Sequence, residues 1–241
     1  MEMSGRPADR APGFAVLVAN LPQEIRADGT DDKPTGLLLV GSLAALAGAV
    51  DACGLSLLRN FYVSFMSGNT TSLGRAAAQG DWARVALLAQ IIGMFVAGAA
   101  TGEAVAIWTG RFKLPAVVLG AAAVLAIPPV AHNVAVLAMT FAMGGLNAAM
   151  QKAGPLNVSV TFATGALVRF GQGLTRFIFG KGDGAGWMQQ TVPWLGLLVG
   201  ATMATAAMGA IGTRTFAFLP ALALGVTVAA YFAVPRHVAG A

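Results

Sequence analysis

Charge is what this chain has least of. Only 10% of its 241 residues are Asp, Glu, Lys or Arg, while 56% are apolar and the mean hydropathy is +0.71. Soluble domains carry about 25% charged residues, so a fully water-solvated surface is excluded and lipid is the main solvent. Cysteine is nearly absent too. The single Cys53 excludes an intramolecular disulfide and a Cys-based zinc site. Inside an apolar run it reads as a small apolar residue. Histidine is confined to His132, in a short connection, and His237, in the last residues, with no partner for metal or catalysis. No Ser-His-Asp order, His-Glu-x-x-His, P-loop or Rossmann fingerprint occurs. The chain therefore reads as non-enzymatic, with no cofactor and no metal. Its net charge of +5 and pI near 10.0 would suit nucleic acid. The positive residues sit in short loops, however, as membrane topology demands, and no nucleic-acid partner is expected.

What the chain does have is a repeated polar interruption. Residues 60–74 read NFYVSFMSGNTTSLG and residues 157–171 read NVSVTFATGALVRFG. The pairs Asn60/Asn157, Val63/Val160, Ser64/Thr161, Phe65/Phe162, Ser67/Thr164, Gly68/Gly165 and Gly74/Gly171 all stand 97 residues apart. This spacing reads as an internal duplication. Residues 1–34 form a polar, acid-rich, proline-punctuated cytoplasmic tail without a signal-peptide pattern. Residues 35–132 make the first membrane repeat and 133–235 the second.

Six apolar spans are expected: Gly36–Leu58, Trp82–Trp108, Leu114–Ala131, Val134–Met150, Met188–Gly212 and Thr215–Val234. The first, at about 1.5 Å per residue, reaches the roughly 30 Å of a hydrocarbon core. Each polar interruption is too short and too hydroxyl-rich to cross lipid cleanly. Broken backbone at that depth must be buried in protein or line a wet cavity, so both are read as re-entrant or broken half-helices. The fold class is then an all-α polytopic membrane protein of about six spans plus two half-helices. With three spans per repeat, an odd number, the two repeats are inverted. With both termini inside, eleven Lys and Arg fall on the cytoplasmic side and only Arg59, Arg75, Arg84 and Arg214 outside, in keeping with the positive-inside rule.

Asp51, in Gly-Ala-Val-Asp-Ala-Cys-Gly, is an acid well inside the first span. There a carboxylate costs at least ~2.5–3.5 kcal/mol on insertion scales and marks an ion or proton path. The alternative is an Asp that only bonds a neighbouring helix. Asn147 stands at the comparable place in the second repeat, and Glu103 reads as an interfacial acid near the end of the second span. In the first interruption Gly68 permits a tight backbone, Asn69 suits an N-cap, and a half-helix starting near Thr70 would aim its N–H groups into the protein. The hydroxyls of Ser67 and Thr70 would suit a cation or a neutral polar ligand. Thr164 and Gly165 keep the break in the second copy. Gly98-x3-Gly102 and Gly196-x3-Gly200 read as close-packing faces of the second and fifth spans. They also leave room for a homo-oligomer.

Together, GAVDACG before FMSGNTTSLG and GGLNAAM before TFATGALVRFG resemble the YoaK-like family of bacterial membrane proteins, a family of unknown function. The resemblance covers about residues 36–234 and implies about six spans and the bacterial inner membrane. It implies no substrate. The functional expectation is a small secondary transporter or channel-like permease for a small polar or ionic substrate, partnered by the lipid bilayer. Its site would be built from Asp51, Ser67, Gly68, Asn69, Thr70, Asn147, Thr164 and Gly165. The alternative is a non-transporting scaffold or accessory subunit whose polar breaks serve helix packing.

Overall fold

A computed structural model describes residues 33–58, 61–127, 132–150, 163–181, 188–189 and 191–233. Among them every regular element is a helix. In chain order these are α1 (Lys33–Leu58), α2 (Met66–Ala78), α3 (Trp82–Thr109), α4 (Lys113–Leu125), α5 (His132–Met150), α6 (Ala163–Ile178), α7 (Thr191–Ile211) and α8 (Phe218–Ala233). Short 3-10 turns, Gly110–Phe112 and Gly212–Ala217, precede α4 and α8.

Length and apolarity suffice for a membrane crossing in three continuous stretches, Gly36–Leu57, Trp82–Leu125 and Thr191–Ala233, and Val134–Ala148 is a shorter apolar helix. The second and third stretches run to 44 and 43 residues, far more than one crossing needs at ~20 residues. Each is divided by a glycine in the left-handed region, Gly110 at φ 53° and Gly212 at φ 61°. No side chain is tolerated cheaply there, so glycine decides where the long apolar run turns. Trp82 and Trp108 mark the ends of α3 and stand well exposed, as interfacial anchors do.

α4 ends at Leu125, and Ala126 and Ile127 close its last turn by bonding to Ala122 and Val124. Proline disfavours helix in the residue before it, and Pro128 follows directly. The expected continuation from Pro128 to Ala131 lies outside the described residues, as do the tail 1–32 and residues 157–162 of the second interruption.

Packing follows the small residues. α1 lies against α7, and α3 against α5. At the first crossing a Cβ on Gly48 would strike the Leu197 carbonyl, and one on Gly200 would strike the Ala45 carbonyl. At the second, Gly144 meets the Phe95 carbonyl and Gly98 the Phe141 carbonyl. Such contacts are open only to glycine and bring helix backbones together without a hydrophobic driving force. Gly48 and Gly144 thus meet a facing carbonyl in the same way, as do Gly98 and Gly200. α4 packs on α8, α1 also on α5 and α8, and α4 on α5. Leu46, Val50, Leu88, Ile91, Val118 and Met143 are among the fully buried side chains, together with Cys53, which is the small apolar core residue its setting implied. Hydroxyls within the spans, such as Ser42, Thr101, Thr202 and Thr227, bond carbonyls four residues back on their own helices. No partner helix is needed to satisfy them.

Candidate functional site

Between α1 and α2 the backbone leaves the helix, and its polar groups need partners because lipid offers none. Asp51, on α1, supplies them. One carboxylate oxygen accepts the Ser64 backbone N–H at 3.0 Å, and the other accepts the Ser64 hydroxyl. Asp51 and Ser64 are both buried. Among the described residues no Lys, Arg or His faces the carboxylate; Ser64 and the Val63 amide are the groups that do. The intramembrane acid is thus a latch that holds the start of α2 against the first span.

A second clamp sits one turn further along. Asn69 donates its side-chain amide to the Tyr62 carbonyl at 2.7 Å and accepts the Tyr62 N–H at 3.3 Å. It is 1% exposed. One amide side chain therefore mimics a strand partner for Tyr62 and satisfies both of its backbone groups. The Tyr62 ring packs obliquely on Phe65 with 5.5 Å between centroids, and Arg84 stacks over Phe61 at 5.1 Å.

These contacts correct the local reading of the motif. The helix begins at Met66, with Phe65 in the capping position, not at Thr70 with Asn69 as cap. Asn69 lies inside the helix because its side chain reaches back seven residues to the broken segment. Gly68 is helical as well, and the left-handed glycines among the described residues are Gly80, Gly110, Gly180 and Gly212. A Cβ on Gly68 would sit 3.6 Å from the Tyr62 ring, ordinary contact. Ser67 and Thr70 are exposed. The Thr70 hydroxyl bonds the Met66 carbonyl at 2.7 Å, and Thr71 bonds Ser67 at 3.0 Å. Of the expected ligand hydroxyls, both stand on exposed residues and that of Thr70 is taken up by its own helix.

In the second half, Asn147 is buried on α5 and donates to the Met143 carbonyl at 2.8 Å. Thr164 is exposed in the first turn of α6, and Gly165 is half-buried beside the fully buried Ala166. α2 rests on α3 and α6 on α7. The structure thus gathers Asp51, Ser64, Tyr62 and Asn69 into one polar unit. Asn147 sits on a helix packed against α1, and Thr164 and Gly165 sit at the start of α6. Thr161, which stands 97 residues after Ser64 in the similar stretch, lies outside the described residues. The residue missed as a site residue is Ser64. Its signal was present, since Ser64 and Thr161 are one of the hydroxyl pairs conserved between the two copies of the motif.

A helical bundle of long apolar elements, locked by glycine crossings and interrupted by a latched half-helix, defines the class: an all-α polytopic membrane protein. More narrowly, the chain belongs to the family of proteins of unknown function DUF1275, whose profile matches residues 39–230. The YoaK-like proteins are part of that family. It is 39% identical over 205 residues to the UPF0700 transmembrane protein RA0705 of Rhizobium meliloti (strain 1021), covering 84% of this chain and 88% of that one. No solved structure matches it.

Proposed function

We propose that the chain is a small secondary transporter or channel-like permease of the bacterial inner membrane, built as two inverted repeats with both termini in the cytoplasm. The duplication reading rests on backbone features independent of the motif that first suggested it. Gly80 and Gly180 end α2 and α6 with the same pair of reverse bonds. Asp81 N–H reaches the Ala76 carbonyl and Gly80 N–H the Ala77 carbonyl; Lys181 and Gly180 do the same to Arg176 and Phe177. Gly110 and Gly212 turn the chain after α3 and α7. Leu-Pro-Ala-x-x-Leu-Gly recurs at Leu114–Gly120 and Leu219–Gly225, with Pro115 and Pro220 each third in its helix. The helix contacts pair accordingly: α1–α7 answers α5–α3, while α4–α8 and α1–α5 each answer themselves. Three spans and one half-helix per repeat favour inversion, the plan of many transporters.

The observation that carries transport is Asp51: a buried carboxylate inside a span with no cationic side chain facing it among the described residues. A proton or small cation arriving at this carboxylate competes directly with the Ser64 N–H and hydroxyl. Occupancy therefore releases the base of α2, and emptying restores the latch. Such a two-state contact is what coupling an ion to a moving half-helix requires. The protein is non-enzymatic in this reading. The test is thermal unfolding of purified protein against small polar solutes and monovalent cations. At least one should stabilise the wild type and lose its effect on a folded Asp51→Asn variant; an identical response in both proteins removes Asp51 from any site.

A second reading has its own observation. Both Asp51 oxygens already have protein partners, and the Ser67 and Thr70 hydroxyls face away. In a scaffold or accessory subunit the latch would only fix the break. No solute would then stabilise the wild type, and Asp51→Asn would simply melt lower.

A further inference from the structure

α2 and α6 end in the same backbone motif, yet the side chains it carries are chemically opposite. A left-handed glycine and two reverse hydrogen bonds close each helix, the common glycine C-cap. On α2 the last turn and cap read Ala76-Ala77-Ala78-Gln79-Gly80-Asp81. On α6 they read Arg176-Phe177-Ile178-Phe179-Gly180-Lys181. The cap folds Lys181 back over the final turn, since its N–H bonds the Arg176 carbonyl at 2.8 Å. Two cations are thereby set at one helix end. Both are exposed, and among the described residues neither has a carboxylate partner. Beside them Phe177, Ile178 and Phe179 are 54%, 69% and 73% exposed. Large apolar side chains this exposed, Ile178 and Phe179 above all, next to two exposed cations fit neither water nor the hydrocarbon interior alone. They fit the boundary between the two, where apolar rings enter the acyl region and cations meet headgroup phosphates.

We infer that the C-terminal corner of α6 is a binding site for anionic phospholipid, with Arg176 and Lys181 on the phosphate-bearing headgroup and Ile178 and Phe179 in the adjoining acyl layer. The site is independent of the transport reading. It needs only a membrane protein and this corner, whether α6 slants inward or lies flat. α2, with the same cap carrying alanines and an acid, has no such site. Of the two helices that share this cap, α6 alone carries the lipid anchor.

The test uses the full chain in neutral detergent. Phosphatidylglycerol should raise the thermal midpoint of the wild type by several degrees over the same amount of phosphatidylcholine, and added salt should shrink the difference, as for any exposed charge contact. Arg176→Gln with Lys181→Gln should abolish the difference. The charge-preserving exchange Arg176→Lys with Lys181→Arg should keep it, as should Arg75→Gln on α2. Equal shifts from both lipids, a double Gln variant that still prefers phosphatidylglycerol, or inorganic phosphate reproducing the shift would each overturn the site.

Discussion

Replacing Gly48 by alanine adds one methyl group where the structure has no room for it. Its Cβ would stand 2.9 Å from the Leu197 carbonyl carbon and 3.0 Å from the Ala201 nitrogen, and closer still to the Leu197 oxygen. Ordinary contact begins at 3.4 Å. The obstacles are backbone atoms of a packed helix, not the end of a flexible side chain, so α1 and α7 must separate by roughly an ångström at the crossing to clear the Leu197 oxygen. Gly144 presents the same geometry to α3, with Ala99 nitrogen at 2.9 Å and the Phe95 carbonyl carbon at 3.0 Å. Overpacking of this kind costs about 1–3 kcal/mol. For a domain of this size that is a fall of roughly 2–12 °C in thermal midpoint. Gly120 and Gly225 are the internal controls, since nothing lies within 4 Å of a Cβ at either. Alanine there should be neutral or slightly stabilising, because helix propensity favours it by up to ~1 kcal/mol. Purified variants in one detergent, melted by intrinsic tryptophan fluorescence, give the comparison directly. If Gly48→Ala and Gly144→Ala melt with the wild type, or if only one of them is destabilised, the two crossings are not the matched close contacts described above.

Asn69→Ala removes both side-chain bonds to Tyr62 and leaves its backbone groups without those partners in a part-buried segment. A loss of about 1–3 kcal/mol is expected, visible as a lower midpoint and as faster amide exchange around residues 61–65. Unchanged exchange there would show that Asn69 does not hold the break. On a Cys53→Ala background, Thr30→Cys and Val238→Cys should both be shielded from a membrane-impermeant thiol reagent applied outside intact cells; labelling of one but not the other would refute the inverted arrangement.

The general plan was legible because it rests on composition and period. Lipid as solvent follows from the scarcity of charge, and the positions of α1, α3, α5, α7 and α8 follow from uninterrupted apolar runs, since a helix is the cheapest way to satisfy backbone in hydrocarbon. The buried setting of Asp51 and Asn147 was also readable, for polar groups inside spans turn toward protein. The start of α2 was not. Asn69 looks like a cap by propensity, and capping is a local rule. Its actual partner is Tyr62, seven residues back, and the helix begins a turn earlier because Ser64 is held by Asp51, thirteen residues away.

The glycine register shows the same division. Sequence spacing marked Gly98-x3-Gly102 and Gly196-x3-Gly200 as packing faces, and both do pack closely. Only the crossing of two helices reveals that Gly98 and Gly200 meet corresponding carbonyls. A spacing pattern repeats every turn, so it fixes which face of a helix is small but not where along that face a neighbour crosses. The sequence by itself determined the solvent, the helices and their small faces, because these depend on local composition. The latch on α2, the outward turn of Ser67 and Thr70 and the depth of each crossing were decided by tertiary contact, because a polar group in a membrane takes whichever partner the packed fold brings within reach.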